Sequence, residues 1–144
     1  MIMISALVSN KQGSHDVLLK TNNAEHAITI PPKSNGFGSS ANGGELLFLA
    51  LATCYCNDIY REAARRNIVV RSVQVEVTGE FSDAPGSAAQ NIEYRATVEA
   101  QASEEEISAL MRHTDTVAEI QNTLRQATSV TLVDARAHSL AQSG

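Results

Sequence analysis

The sequence predicts an α+β fold in which antiparallel strands pack around one long helix. Two observations carry that expectation. An almost unbroken apolar run from Leu46 to Cys56 lies inside a helical pattern that continues through Asp58, Arg61, Glu62, Arg65 and Arg66. On either side of it, segments alternate apolar and polar residues with the two-residue period of half-buried strands. The expected order is β-β-β-α-β-β-α-α-β.

Met1 to Ser9, Asp16 to Thr21 and Glu25 to Ile30 read as a meander, with Lys11-Gln12-Gly13 and Asn22-Asn23 as its turns. Pro31-Pro32 ends that sheet, and Lys33 to Gly44, rich in Gly, Ser and Asn, reads as a long mobile loop. A loop leading into a helix N-terminus often lines a site. The helix is expected over about residues 43–66, because Asn42 supplies a cap and Glu45 sits at its third position, the spacing of a capping box. Arg65 and Arg66 suit the negative helix terminus, and Asn67 suits a left-handed stop. The first half of the helix is apolar on every side, so it is expected in the core.

Val69 to Phe81 then alternates Val73, Val75 and Val77 with Gln74, Glu76 and Thr78; Asp83-Ala84-Pro85-Gly86 turns the chain, and Asn91 to Gln101 returns with Ile92, Tyr94, Ala96 and Val98 on one face. Ser103 with Glu106 is a second capping box, opening a helix to about His113. Thr116 with Glu119 is expected to open a short helix to about Gln126, and Ser129 to Val133 to form a final strand.

Length and composition exclude several function classes. A chain of 144 residues is expected to form a single domain, residues 1–144, and 43% hydrophobic with 19% charged residues fits a folded soluble protein. The net charge of −5, with acidic residues scattered, argues against a nucleic-acid partner, which needs clustered Lys and Arg. The run Leu46 to Cys56 is too short to span a bilayer, and the N-terminus lacks a signal-peptide layout, so no membrane role is expected. Two cysteines two residues apart form no disulfide framework, which makes a reducing cytoplasm the expected location.

The Gly-rich loop running into Glu45-Leu46-Leu47, the apolar helix reaching Thr53-Cys54, and Asn122-Thr123-Leu124 ahead of a final strand together resemble the OsmC/Ohr family over essentially the whole chain. The resemblance implies an intertwined homodimer in which sheets of both subunits wrap two central helices, with a reactive cysteine near the interface. It also implies thiol-dependent reduction of organic hydroperoxides in oxidative stress defence. In that chemistry a thiolate attacks the outer peroxide oxygen, an alcohol leaves, and a sulfenic acid forms. A second cysteine condenses with it to a disulfide, which a dithiol reopens. Cys54 matches the peroxidatic position. Glu45 is the weaker candidate: nine residues earlier, it lies about half a turn away in azimuth and reads first as a helix cap.

Two departures bear on the chemistry. Ala118 stands where the family's second cysteine aligns, and Cys56 is no substitute, because side chains two apart on a helix diverge by about 200°. The arginine that the family sets against its thiol comes from the N-terminal region, whereas the first arginine here is Arg61; Lys11, Lys20, Lys33, His15 and His26 are the cations available there. His15, His26, His113 and His138 show no ligand spacing and read as surface or capping residues, so neither a metal nor a cofactor is expected. Tyr55 and Tyr60 read as packing residues. Two functions follow from this reading. One is a thiol peroxidase working through Cys54 alone and reduced by an external thiol. The other is an OsmC-fold scaffold without peroxidase chemistry, binding a small apolar ligand at the dimer interface beside Cys54 with the Gly-rich loop as its lid.

Overall fold

The computed structural model describes residues 1–140. The N-terminal strands β1 (Ile4–Lys11), β2 (Ser14–Thr21) and β3 (Ala24–Ile28) form an antiparallel meander in the order β1-β2-β3. Its register pairs Lys11 with Ser14 and Ile4 with Thr21, then Thr21 with Ala24 and Val17 with Ile28. The turns need one left-handed residue each, supplied by Gly13 (φ 77°) and Asn22 (φ 52°), residue types that tolerate it. Register explains why β1 starts later than the sequence implied: Ile4 faces Thr21, the end of β2, and Met3 is held instead by Asn22.

The Gly-rich segment, expected to be mobile, is tied to the first hairpin. The Gly13 N–H donates to the Gly36 carbonyl at 2.7 Å. The Asn10 side-chain amide both donates to the Gly38 carbonyl and accepts from its N–H, each at 3.1 Å. Helix α1 (Gly43–Arg65) follows, bounded as its caps dictate. The Glu45 N–H donates to Asn42 Oδ1 at 2.8 Å, and Glu45 Oε1 accepts the Asn42 N–H at 2.9 Å, closing the capping box. At the other end Asn67 is left-handed (φ 56°), and the N–H groups of Ile68 and Asn67 reach the carbonyls of Ala63 and Ala64, the Schellman arrangement. Strands β4 (Val69–Glu80) and β5 (Gln90–Gln101) form a two-stranded antiparallel sheet, and α2 (Glu104–Val117) and α3 (Glu119–Arg125) complete the α+β order.

The chain divides into two compact units. The first holds the meander, the start of α1 and the turn-proximal parts of β4 and β5. There Phe48 stacks on Phe81 with centroids 6.0 Å apart, and a Cβ at Gly79 would come within 2.6 Å of Phe48 Cζ, so glycine is what lets the helix ring approach β4. The second unit holds α1 from Cys54 onward, α2 and α3, and is cored by Tyr55, Ile59, Ala63, Leu110, Thr114 and Ala118. The Tyr55 hydroxyl donates to the Met111 carbonyl at 2.9 Å, satisfying its polar end inside that core.

Three expectations are corrected. The apolar first half of α1 is only partly covered in this chain: Leu49 is 57% exposed, and the buried stripe runs instead through Leu51, Tyr55, Ile59 and Ala63. Thr116 does not cap α3; its hydroxyl bonds the His113 carbonyl within α2, which therefore runs four residues past the expected end, to Val117. Ser129 to Val133 is not a strand; it has no regular secondary structure, and Val130, Leu132 and Val133 are at least 84% exposed. A strand requires a neighbouring backbone for its hydrogen bonds, and this segment is given none within the described chain. No helix among the described residues is long and apolar enough to cross a membrane.

Candidate active site

Helix periodicity puts Cys54, Asp58, Arg61 and Glu62, spaced i, i+4, i+7 and i+8, on one stripe of α1. The neighbouring stripe is the buried one of Tyr55, Ile59 and Ala63, so the polar groups lie beside the core. Cys54 is half-buried, and its Sγ lies 3.6 Å from Asp58 Oδ2 and 3.7 Å from Glu119 Oε2, the first residue of α3. The single S–H therefore has two carboxylate acceptors within reach.

One guanidinium organises the rest. Arg61 donates through Nη1 to Glu119 Oε1 at 2.7 Å, approaches Asp58 Oδ1 at 3.2 Å, and donates through Nε to Glu62 Oε2 at 2.8 Å. Glu62 is 3% exposed and also meets His113 Nε2 at 2.8 Å and Arg65 at 3.5 Å. A continuous array thus runs from His113 through Glu62 and Arg61 to Glu119, Asp58 and the thiol.

The electrostatics follow from this geometry. Burial pushes the Cys54 thiol above its ordinary value, the Asp58 and Glu119 carboxylates push it further, and only a backbone hydrogen bond from Ile120 works the other way. Asp58 is pushed up to about 6, first by burial and then by Glu119. Glu119 is held down at about 2, chiefly by its hydrogen bond with Asp58 and then by Arg61. Arg61 holds Glu62 down as well, with His113 adding to the effect. The thiol is thus largely protonated at neutral pH, next to two carboxyls whose affinities for a proton have been driven apart.

The sulfur and the two carboxylates lie within 4.8 Å of one another, close enough to share one cation. Arg61, on Oε1 of Glu119 at 2.7 Å and near Oδ1 of Asp58 at 3.2 Å, offsets the charge of the two carboxylates, so the cluster reads as a charge-compensated ion network.

Of the two residues singled out from sequence, Cys54 lies in this cluster, whereas Glu45 is engaged in capping the first turn of α1, about 13 Å of helical rise away. Cys56 is a free thiol on a different azimuth of the helix. Ala118 is fully buried at the start of α3 and offers no sulfur. His113, expected at the surface or as a cap, is instead a partner of buried Glu62. Sequence reasoning missed Asp58, Arg61, Glu62, His113 and Glu119 as a group. The α1 members were legible in their spacing; Glu119 was signalled only by its place beside Ala118.

The frame is α+β, with a half-buried thiol midway along its long helix. The match to a family model, OsmC-like protein, spans residues 36–133, and the chain belongs to that family. Solved structures agree in fold. An OsmC-like protein from Mycoplasma pneumoniae has a TM-score of 0.60 at 20% identity, covering 87% of each chain. An organic hydroperoxide resistance protein from Elizabethkingia anophelis has 0.55 at 17% identity, covering 85% of this chain and 88% of that one. An OsmC-like hydroperoxide resistance protein from Jannaschia has 0.53 at 17% identity, covering 93% of each. No curated protein matches the chain.

Proposed function

We propose that this protein is a one-cysteine reductase of organic hydroperoxides, working as a homodimer in a thiol-rich compartment such as the cytoplasm. One observation carries the reading: the Cys54 sulfur is set against an ordered array of ionisable groups rather than in the apolar core, which is where a cysteine that merely fills space belongs. The family membership and the hydroperoxide resistance proteins among its fold relatives supply the substrate class. With Ala118 in place of a second thiol, the sulfenic acid is returned to the thiol by two equivalents of an external thiol, through a mixed disulfide. The raised thiol makes the reaction slow at neutral pH compared with a thiolate-based enzyme.

The exposed apolar surface of Leu49 and the unpaired apolar segment around Val130 to Val133 support the homodimer, whose second copy would cover them. The test is to supply cumene hydroperoxide with dithiothreitol and follow hydroperoxide loss above the uncatalysed rate. Loss that depends on Cys54 supports the reading, and loss equal to the blank removes it. A second reading rests on a separate feature, an open groove of about 370 Å³ lined by Glu45, Phe48, Leu49, Ala52, Val75, Glu76 and Val77. That groove suits a small apolar ligand, and saturable quenching or enhancement of an apolar fluorescent probe, with no hydroperoxide loss, would favour a binding scaffold.

A further inference from the structure

We propose that Asp58 is the proton carrier of the Cys54 reaction, taking the thiol proton as sulfur attacks the hydroperoxide and passing it to the departing alkoxide. The inference rests on the hydroperoxide reading above and adds a residue and a role to it. Its basis is geometric. Asp58 lies one helical turn from Cys54, its Oδ2 is 3.6 Å from the sulfur, and its burial fixes it in that position. The reaction needs such a group because the thiol is not ionised in advance: burial and two anions hold its proton on.

Two carboxylates touch the sulfur, and their surroundings separate their roles. Glu119, hydrogen-bonded with Asp58 and tied to Arg61 at 2.7 Å, is held in its ionised form, which makes it the poorer donor to an alkoxide. Asp58 faces Cys54 and Arg61 on its own helix and Glu119 from α3; Glu62, His113 and Arg65 lie behind Arg61. Burial, and after it Glu119, bring it to about 6 against the opposing pull of Arg61 and Cys54, ionised enough at neutral pH to accept a proton and acidic enough to deliver one.

The step balances. The sulfur lone pair forms an S–O bond to the outer peroxide oxygen, the O–O bond breaks, and that electron pair leaves on the alkoxide. Sulfur is oxidised by two electrons and the hydroperoxide is reduced by two. The proton moves from sulfur to Asp58 and then to the alkoxide, giving Cys54 sulfenic acid and an alcohol.

The test compares two reactions of the same thiol in a Cys56→Ser background. Oxidation by cumene hydroperoxide needs a proton on its leaving group; alkylation by iodoacetamide, which expels iodide, does not. Asp58→Asn removes an anion beside the thiol, so alkylation at about pH 7 is expected to speed up several-fold. Peroxide oxidation is expected to slow by about 100-fold, the lower range for general acid–base catalysis. An Asp58 that acts only through its charge would speed both reactions, and that result overturns the proposal. Glu119→Gln is the second variant: it removes a neighbour that pushes Asp58 up, so the pH at which oxidation rises is expected to fall, and a rise that does not move also overturns the proposal. The parent needs no substitution to be informative: its oxidation rate is expected to climb through about pH 6 with Asp58, and a rate that climbs only with the thiol refutes the role. A parent alkylated normally yet inert to hydroperoxide sinks the hydroperoxide reading itself, and the proposal with it.

Discussion

Asp58→Asn is expected to stabilise the folded protein near neutral pH and to leave it unchanged in acid. The carboxyl moves from an ordinary 3.8 to about 6 on folding, mainly through burial, so the fold favours its protonated form. A raised carboxyl carries no penalty below the unfolded value, because both states are then protonated. The penalty grows as pH rises from about 4 to 6 and is flat above. At 1.36 kcal/mol per pH unit the full displacement corresponds to about 3 kcal/mol, and solvent screening around Arg61 and Glu119 reduces it to about 1 kcal/mol. Asparagine keeps the shape and still accepts the S–H of Cys54. Urea unfolding of the parent and the variant at about pH 7.5 and about pH 3.5 reads the difference directly. The variant is expected to gain about 1 kcal/mol at the higher pH and nothing at the lower. An equal or lower stability of Asp58→Asn at about pH 7.5 would refute the reasoning, since it would mean that ionised Asp58 and Arg61 together stabilise the fold.

Three further outcomes are expected. Cys54→Ser abolishes hydroperoxide consumption and Cys56→Ser leaves it nearly unchanged, measured by loss of hydroperoxide under dithiothreitol. Leu110→Ala, at a side chain with no exposure, costs about 2–5 kcal/mol in the same unfolding assay, through lost burial and the cavity left behind. In analytical ultracentrifugation the protein sediments as a dimer at micromolar concentration, and a stable folded monomer would contradict the account of Leu49 and the Val130 to Val133 segment.

The long helix, its two caps and the alternation of β4 and β5 were legible because each rests on local physics. Asn42 and Glu45 satisfy each other's backbone, Asn67 takes a left-handed turn, and Val73, Val75 and Val77 share a face. The final strand was misread because apolar β-branched residues signal a preference, while pairing depends on a backbone neighbour that the described residues do not provide. Of the site, Cys54 was found by position, but the carboxylates were not. Asp58 read only as a member of the helical pattern that continues past Cys56, and nothing in that pattern marks it as buried. The meeting of Glu119 with Cys54 spans 65 residues and depends on tertiary structure that no local pattern encodes.

The central claim is that Cys54 alone turns over hydroperoxide. Treating the reduced protein with one equivalent of cumene hydroperoxide, trapping with dimedone and mapping the adduct by peptide mass analysis tests it most directly. The account requires a sulfenic acid adduct on Cys54, an equal yield of cumyl alcohol, no intramolecular disulfide, and full recovery of the thiol when an external thiol replaces the trap. An unmodified Cys54 with the hydroperoxide intact, or a disulfide between Cys54 and Cys56 within one folded chain, would contradict it.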